Sequence, residues 1–302
     1  MRSQDTAICD TFLARMTITD AEIVKAATSL GVLGGGAQTA HRILAALCDA
    51  SLGTREIADL VQREPGLAVR VLKVANSAYY GRSRDIGTLD QALVILGLDA
   101  VRGITAAACL DRSIARRSQF GAIDPKALVH HCIASAFAAE TLARASGRAV
   151  AAEAFMAALL HDFGVPVQER LDGDGVLALI EALRTTPDAD AGELERTLVQ
   201  VSHGRCAQVI FDSWQLPTSI GLAARHHDDP AGAPGPVKEL TTLVHLGIQA
   251  AIEAGFTYPT EPLHFRIARE PLLATLGLQA DVLLPIIEQL PERVLLLSGA
   301  AA

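Results

Sequence analysis

Apolar residues in this 302-residue chain recur at helical spacing along most of its length, and the strict alternation that marks a half-buried strand is scarce. Leu67, Val71, Val74 and Ala75 stand at i, i+4, i+7 and i+8, on one face of a helix. Ile57, Leu60 and Val61 follow Thr54, a good N-cap, so a helix is predicted to start near Arg55. Thr88 and Gln91 have capping-box spacing ahead of ALVIL, with Gly97 as the stop. Asp124-Pro125 supplies an N-cap and an N1 proline for a helix running to Gly147. Further helices are expected over 151–161, 175–185, 192–212, 217–228, 237–254 and 279–290. These patterns predict an all-α fold, a multi-helix bundle of two packed lobes that divide near residues 118–125.

Composition narrows the function. Hydrophobic residues make up 50 % of the chain, enough for a sizeable core. Asp and Glu outnumber Lys and Arg by 34 to 26, which argues against a broad nucleic-acid footprint. The small basic group Arg112, Arg116 and Arg117 reads as a solvated helix face. Cys9, Cys48, Cys109, Cys132 and Cys206 are odd in number, scattered and without a CxxC pair. Neither a disulfide framework nor a thiolate zinc site is expected from them. MRSQDTAICDTFLARM has no apolar core of signal-peptide length, and no uncharged apolar stretch reaches the ~18 residues of a spanning helix. A cytoplasmic protein with no membrane partner is the expectation.

Histidine carries the chemical signal. His131 lies early in the 125–147 helix, His161 and Asp162 close the next, His203 falls within 192–212, and His226 and His227 end the helix after WQLP. Imidazole nitrogen and carboxylate oxygen are the donors of iron, manganese and zinc hydrolytic centres. All six residues are therefore candidate ligands of a divalent metal. A solvated or core histidine is the plain alternative for each. The adjacent pair His226-His227 poses a geometric difficulty, because neighbours on a helix point about 100° apart.

The order of these residues resembles the HD superfamily of metal-dependent phosphohydrolases. More closely, the chain is similar to the HDOD domain, the HD-related output domain of bacterial signalling proteins. The resemblance rests on EPGLAVRVLKVANSAYYG at 64–81, TLDQALVILGLDAVRGI at 88–104, LLHDFG at 159–164 and HGRCAQVIFDSWQLPTSIGLAARHH at 203–227. It implies an HDOD domain over 33–228, with an N-terminal helical lobe to about 120 and an HD-like lobe from about 121. A helical segment over 1–32 would precede it, and a helical extension over 229–302 would follow. In NSAYYG, Asn76 and Ser77 are read as bonding nearby backbone, Tyr79 and Tyr80 as packing, and Gly81 as the left-handed terminator of a structural corner. A ligand- or partner-contacting role is the alternative.

Departures from the resemblance bear on activity. In HD-GYP phosphodiesterases, which the second lobe also resembles, a lysine thought to assist catalysis follows the glycine of the HD motif. Here Val165 follows Gly164. A further Asp on a later helix binds metal in those enzymes, and LVHLGIQAA at 243–251 puts Ile248 in its place. No GYP segment follows His227, and Leu33-Gly34-Gly35-Gly36 replaces the family's two Leu-Pro pairs at the entry. These losses point to a non-catalytic regulatory module that acts through contacts with a signalling protein. The surviving ligands keep two alternatives open: a metal-dependent phosphohydrolase acting on a cyclic nucleotide or dinucleotide, and a metal- or nucleotide-binding sensor without turnover.

Overall fold

Local capping chemistry sets where most helices begin. A computed structural model describes residues 18–30, 38–49, 52–77, 86–114, 121–148, 150–186, 189–260 and 268–298. Helix α1 (Asp20–Ser29) opens on a capping box between Thr19 and Glu22. It is followed by α2 (Gln38–Leu47), α3 (Thr54–Gln62) and α4 (Pro65–Ala75). Thr54 proves to be the first helical residue of α3, with Gly53 in the cap position and no side-chain cap bond. Helix α5 (Leu89–Leu96) starts where the Thr88 hydroxyl accepts from Gln91 N–H and stops at Gly97, whose φ of 81° is left-handed. The Gln91 amide oxygen accepts from Gly87 N–H, one residue short of a full capping box. The long helix α6 (Leu98–Ile114) is not among the helices that spacing predicts, and Arg112 in its last turn is exposed, as expected of a solvated helix face.

Helix α7 (Pro125–Ala145) begins as expected, with the Asp124 carboxylate accepting from Lys126 N–H. Then follow α8 (Ala151–Leu160), α9 (Val165–Leu171), α10 (Gly173–Thr185), α11 (Ala191–Leu198), α12 (His203–Ser213), α13 (Thr218–His226), α14 (Lys238–Glu253), α15 (Arg269–Thr275) and α16 (Leu283–Leu297). The single helix expected over 192–212 is two. Val199 is extended at φ −112° and ψ 141°, and the Ser202 hydroxyl caps a new helix by accepting from Arg205 N–H. Burial of Val199 and Val201 holds this break in place. The stop expected at Leu290, ahead of Pro291, is also overruled: α16 runs through Pro291 to Leu297. Proline forfeits one backbone bond, and burial of Val294, Leu296 and Leu297 on the far side offsets it.

The described residues contain no strand, so the all-α reading holds. Buried apolar side chains from Ile18 to Leu297 form one contiguous cluster. Its centre is the pair α7 and α14, the most extensive helix contact. Gly247 permits their approach, since a Cβ there would lie 2.5 Å from the Ser135 carbonyl oxygen. The segment after residue 228 thus places α14 inside the core beside α7 and α8. Asn76 behaves as expected at its corner: its amide donates to Leu72 O and Ile86 O and accepts from Ile86 N–H. Tyr79, Tyr80, Gly81, the 31–37 stretch with Leu33-Gly34-Gly35-Gly36, Arg116, Arg117 and Cys9 lie outside the described residues. Cys48, Cys109, Cys132 and Cys206 are free thiols. No single described helix is long and apolar enough to cross a membrane.

Candidate metal centre

Five of the six candidate ligands meet at one buried point, delivered by α7, the turn after α8, the start of α12 and the end of α13. Helix α8 ends at Leu160, and His161 to Gly164 form a tight turn into α9. Gly164 lets α12 lie directly on that turn: a Cβ there would fall 1.9 Å from the His203 carbonyl oxygen and 2.6 Å from Ala207 N. Phe163 points into the core against Phe211 and Trp214. Asp162 is left at the centre, fully buried.

Every ring is fixed by a bond on its outer nitrogen. His131 Nδ1 lies 2.9 Å from Phe256 O, His161 Nδ1 2.7 Å from Ala158 O, and His227 Nδ1 2.7 Å from Ala224 O. A carbonyl oxygen only accepts, so each Nδ1 carries a proton, and in the neutral ring each Nε2 presents a lone pair inward. His203 Nδ1 lies 2.6 Å from Glu195 Oε1, which also accepts from His203 N–H at 3.1 Å. This outward anchoring is the arrangement that orients imidazoles as metal ligands.

The inward nitrogens flank the Asp162 carboxylate in two groups. On one side, Asp162 Oδ2 lies 2.8 Å from His161 Nε2 and 3.8 Å from His131 Nε2, and those two nitrogens are 3.3 Å apart. On the other, Asp162 Oδ1 lies 3.6 Å from both His203 Nε2 and His227 Nε2, which are 3.2 Å apart. Asp228 adds a carboxylate there, 3.1 Å from His227 Nε2 and 3.5 Å from His203 Nε2. Asp162 Oδ1 is buried and has no hydrogen-bond partner.

Converging lone pairs with an orphaned carboxylate oxygen are a costly arrangement unless a cation sits among them. The residues therefore fit a metal, or two with Asp162 between them. His131, His161 and Asp162 form one candidate set, Asp162, His203 and His227 a second, and Glu195, His203 and Asp228 a third.

Charge follows the same logic. Burial alone would raise the Asp162 carboxyl, but the imidazoles of His161, His227 and His203 hold it well below the usual carboxylate range. Burial opposes protonation of His227, and Asp228 with Asp162 overcomes it, pushing the imidazole up to about 9. His203 is likewise raised well above its ordinary value, burial being outweighed by Glu195, Asp228 and Asp162. Burial presses His161 toward its neutral form. The pocket thus favours positive charge, supplied by protons when no metal is bound.

His226 does not join the site. It is the last residue of α13, half-buried, and lies in none of the ligand groups, whereas His227 in the cap position is 1 % exposed and turns inward. The 100° offset between helical neighbours separates them. Ile248 is buried in the apolar core at 1 % exposure and has no donor atom. From α14 the site receives His245, whose Nδ1–H donates to His227 O at 2.7 Å, and Gln249 beside it.

Spacing and motif do not mark Glu195, Asp228, His245, Gln249 or Tyr258 as contributors. Tyr258 donates its hydroxyl to Asp162 Oδ2 at 2.7 Å and sets its ring edge against His131. Asp228 stands next to His227 in the sequence and was the one with a visible signal.

Similar proteins share this architecture. A crystal structure of a provisionally assigned signal transduction protein from Marinobacter aquaeolei VT8 is 22 % identical, with a TM-score of 0.67, covering 87 % of this chain and 58 % of that one. A provisionally assigned phosphohydrolase from Shewanella amazonensis SB2B is 19 % identical, with a TM-score of 0.67, over 93 % of this chain and 98 % of its own. At these identities the likeness concerns the fold. An uncharacterized protein of Treponema pallidum (strain Nichols) is 23 % identical over 192 residues, which are 63 % of this chain and only 36 % of that protein. The model of the HDOD domain matches residues 36–230, well over half of the sequence, and the chain belongs to the HDOD family.

Proposed function

We propose that this chain is a regulatory signalling module that binds a divalent metal in its core and does not turn over a phosphoester. The observation that carries the reading is a buried set of converging donors beside a cavity of very small volume. The cavity at the site, lined by Gln168, Glu195, His203, Asp228 and Tyr258 among others, holds ≈ 20 Å³. That is about the room one water needs, whereas pockets for nucleotide-sized ligands run to roughly 300–1,000 Å³. Val165 in the position of the catalytic-type lysine supports the same view. Iron, manganese or zinc suits the imidazole and carboxylate donors.

In this reading His131, His161, Asp162, His203 and His227 hold the metal, Glu195 orients His203, and the backbone carbonyls of Phe256, Ala158 and Ala224 orient the other rings. A bound ion of this class lowers the pKa of a coordinated water and polarises a phosphoryl oxygen. Here the enclosing helices keep a phosphoester away, and the ion stabilises the folded arrangement in proportion to its occupancy. The module then acts on a signalling protein partner in the cytoplasm, without nucleic acid or membrane. The overall charge of −8 is consistent with that exclusion.

Turnover is the second reading, favoured by survival of the donor set. The test is elemental analysis of tag-free protein purified without chelators, for wild type, Asp162→Ala and Asp162→Asn, with hydrolysis of bis(p-nitrophenyl) phosphate and cyclic dinucleotides. The expected result is near-stoichiometric metal in wild type, its loss in both variants, and no hydrolysis above theirs. Hydrolysis by the wild type above the variants would establish the phosphohydrolase instead.

A further inference from the structure

We infer that Tyr258 is itself a metal ligand, supplying to the His131–His161 side of the centre the anionic oxygen that Ile248 cannot. The inference rests on the proposal that the centre binds metal, and goes beyond it by assigning a donor of a different chemical class.

The argument begins from position. The Tyr258 hydroxyl lies 2.7 Å from Asp162 Oδ2. The spacings among the candidate donors on that side are 2.8 Å from Asp162 Oδ2 to His161 Nε2, 3.8 Å to His131 Nε2, and 3.3 Å between the two nitrogens. The phenol oxygen therefore adjoins the carboxylate oxygen beside which those two nitrogens lie. Tyr258 is 5 % exposed, so its hydroxyl is committed to the interior.

The loop that carries it is fixed against His131. Phe256 O, two residues earlier, accepts from His131 Nδ1–H, and the tyrosine ring packs edge-on against the same imidazole. Charge gives the second line. On the other side of Asp162, Asp228 provides a further carboxylate. On the His131–His161 side, Asp162 is the one carboxylate in the candidate set. A buried dication or trication needs more negative charge than a shared carboxylate offers, and a phenolate supplies it. Phenolate oxygen is a hard donor, so among iron, manganese and zinc it favours iron, and the ferric form is the probe that reports it.

On coordination the phenol O–H bond breaks heterolytically, its proton leaves to solvent, and the oxygen donates an electron pair to the ion. No electron is transferred when iron is supplied as ferric ion.

The test uses the full chain, stripped with chelator and loaded with ferric citrate, as wild type and Tyr258→Phe. Iron content, visible absorption and thermal unfolding are measured for both. Wild type is expected to show a phenolate-to-iron charge-transfer band, with tyrosinate vibrations enhanced in resonance Raman spectra excited within it. Tyr258→Phe is expected to lose the band while keeping its helical circular dichroism. Iron bound to wild type without the band overturns the assignment of Tyr258 and leaves the metal proposal standing, as does a band that persists in the variant. Failure of wild type to hold iron overturns the assignment, and metal analysis of unstripped protein, purified without chelators, then decides the metal proposal separately. The chain has three tyrosines, so in a Tyr79→Phe/Tyr80→Phe double variant Tyr258 alone remains: the band and its Raman signature are expected to persist there even where Tyr258→Phe folds poorly, and their loss overturns the assignment.

Discussion

Replacing Gly164 by alanine adds one methyl group at the turn that carries His161 and Asp162. A Cβ there would meet His203 O at 1.9 Å, Ala207 N at 2.6 Å and Cys206 Cβ at 2.9 Å. Ordinary contact begins near 3.4 Å, so α12 would have to retreat by about 1.5 Å from the carbonyl contact. Two of the three atoms belong to helix backbone and cannot swing aside. Overpacking of this kind costs about 3 kcal/mol, at the upper end of the usual range. For a chain of this size that lowers Tm by roughly 5 °C. The same retreat moves His203 Nε2, whereas metal–ligand distances tolerate about ±0.2 Å, so zinc affinity should fall at least about tenfold. Thermal unfolding followed by circular dichroism, with zinc titration under a competing chelator, measures both effects. Gly66→Ala is the control: nothing lies within 4 Å of a Cβ there, and α4 should gain about 0.5–1 kcal/mol. A Gly164→Ala protein with wild-type Tm and zinc affinity would refute the claim that this glycine exists to seat α12 on the HD turn.

Glu195→Gln keeps an acceptor oxygen beside His203 and removes the charge that orients and supports its ring. Metal affinity should drop about 10–100-fold with the fold retained, by isothermal titration with zinc; unchanged affinity would show that Glu195 does not act through His203. The second expectation concerns acid. His41 stacks on Trp214 with centroids 3.8 Å apart, and burial holds its imidazole down at about 4. The unfolded chain takes up that proton near pH 6.5 and the folded chain does not, so this contribution is complete above about pH 6.5 and is lost as pH falls toward 4. Urea unfolding of wild type and His41→Phe across that window should show wild type losing about 2 kcal/mol more than the variant; parallel pH profiles would count against it.

The helical class and several helix starts were legible because their signals are local. Asp124-Pro125 and Thr88 act within one turn of the residues they cap, and Gly97 ends α5 by its own backbone freedom. The break between α11 and α12 was hidden because Val199 and Val201 continue an apolar pattern while the chain is extended. That break has a consequence for the site. It returns Glu195 to within 2.6 Å of His203, eight residues on, a contact a continuous helix would not provide. The same limit divides the donors. Histidines and an aspartate in a known order announced themselves, and five of six converge. The failure of His226 was foreshadowed by helical geometry.

Tyr258 had no such announcement. It lies 96 residues from Asp162, in a loop without periodicity, and a lone tyrosine after an apolar helix reads as packing. What places it is tertiary: α14 lies against α7, Gly247 permits the close contact, and the chain leaving α14 passes over His131. The carboxylate replaced by Ile248 and the hydroxyl brought by Tyr258 belong to the same helix-loop segment. A loss read from the sequence at the first position is therefore incomplete evidence of a dead centre, because a donor can return from ten residues further along once α14 is packed.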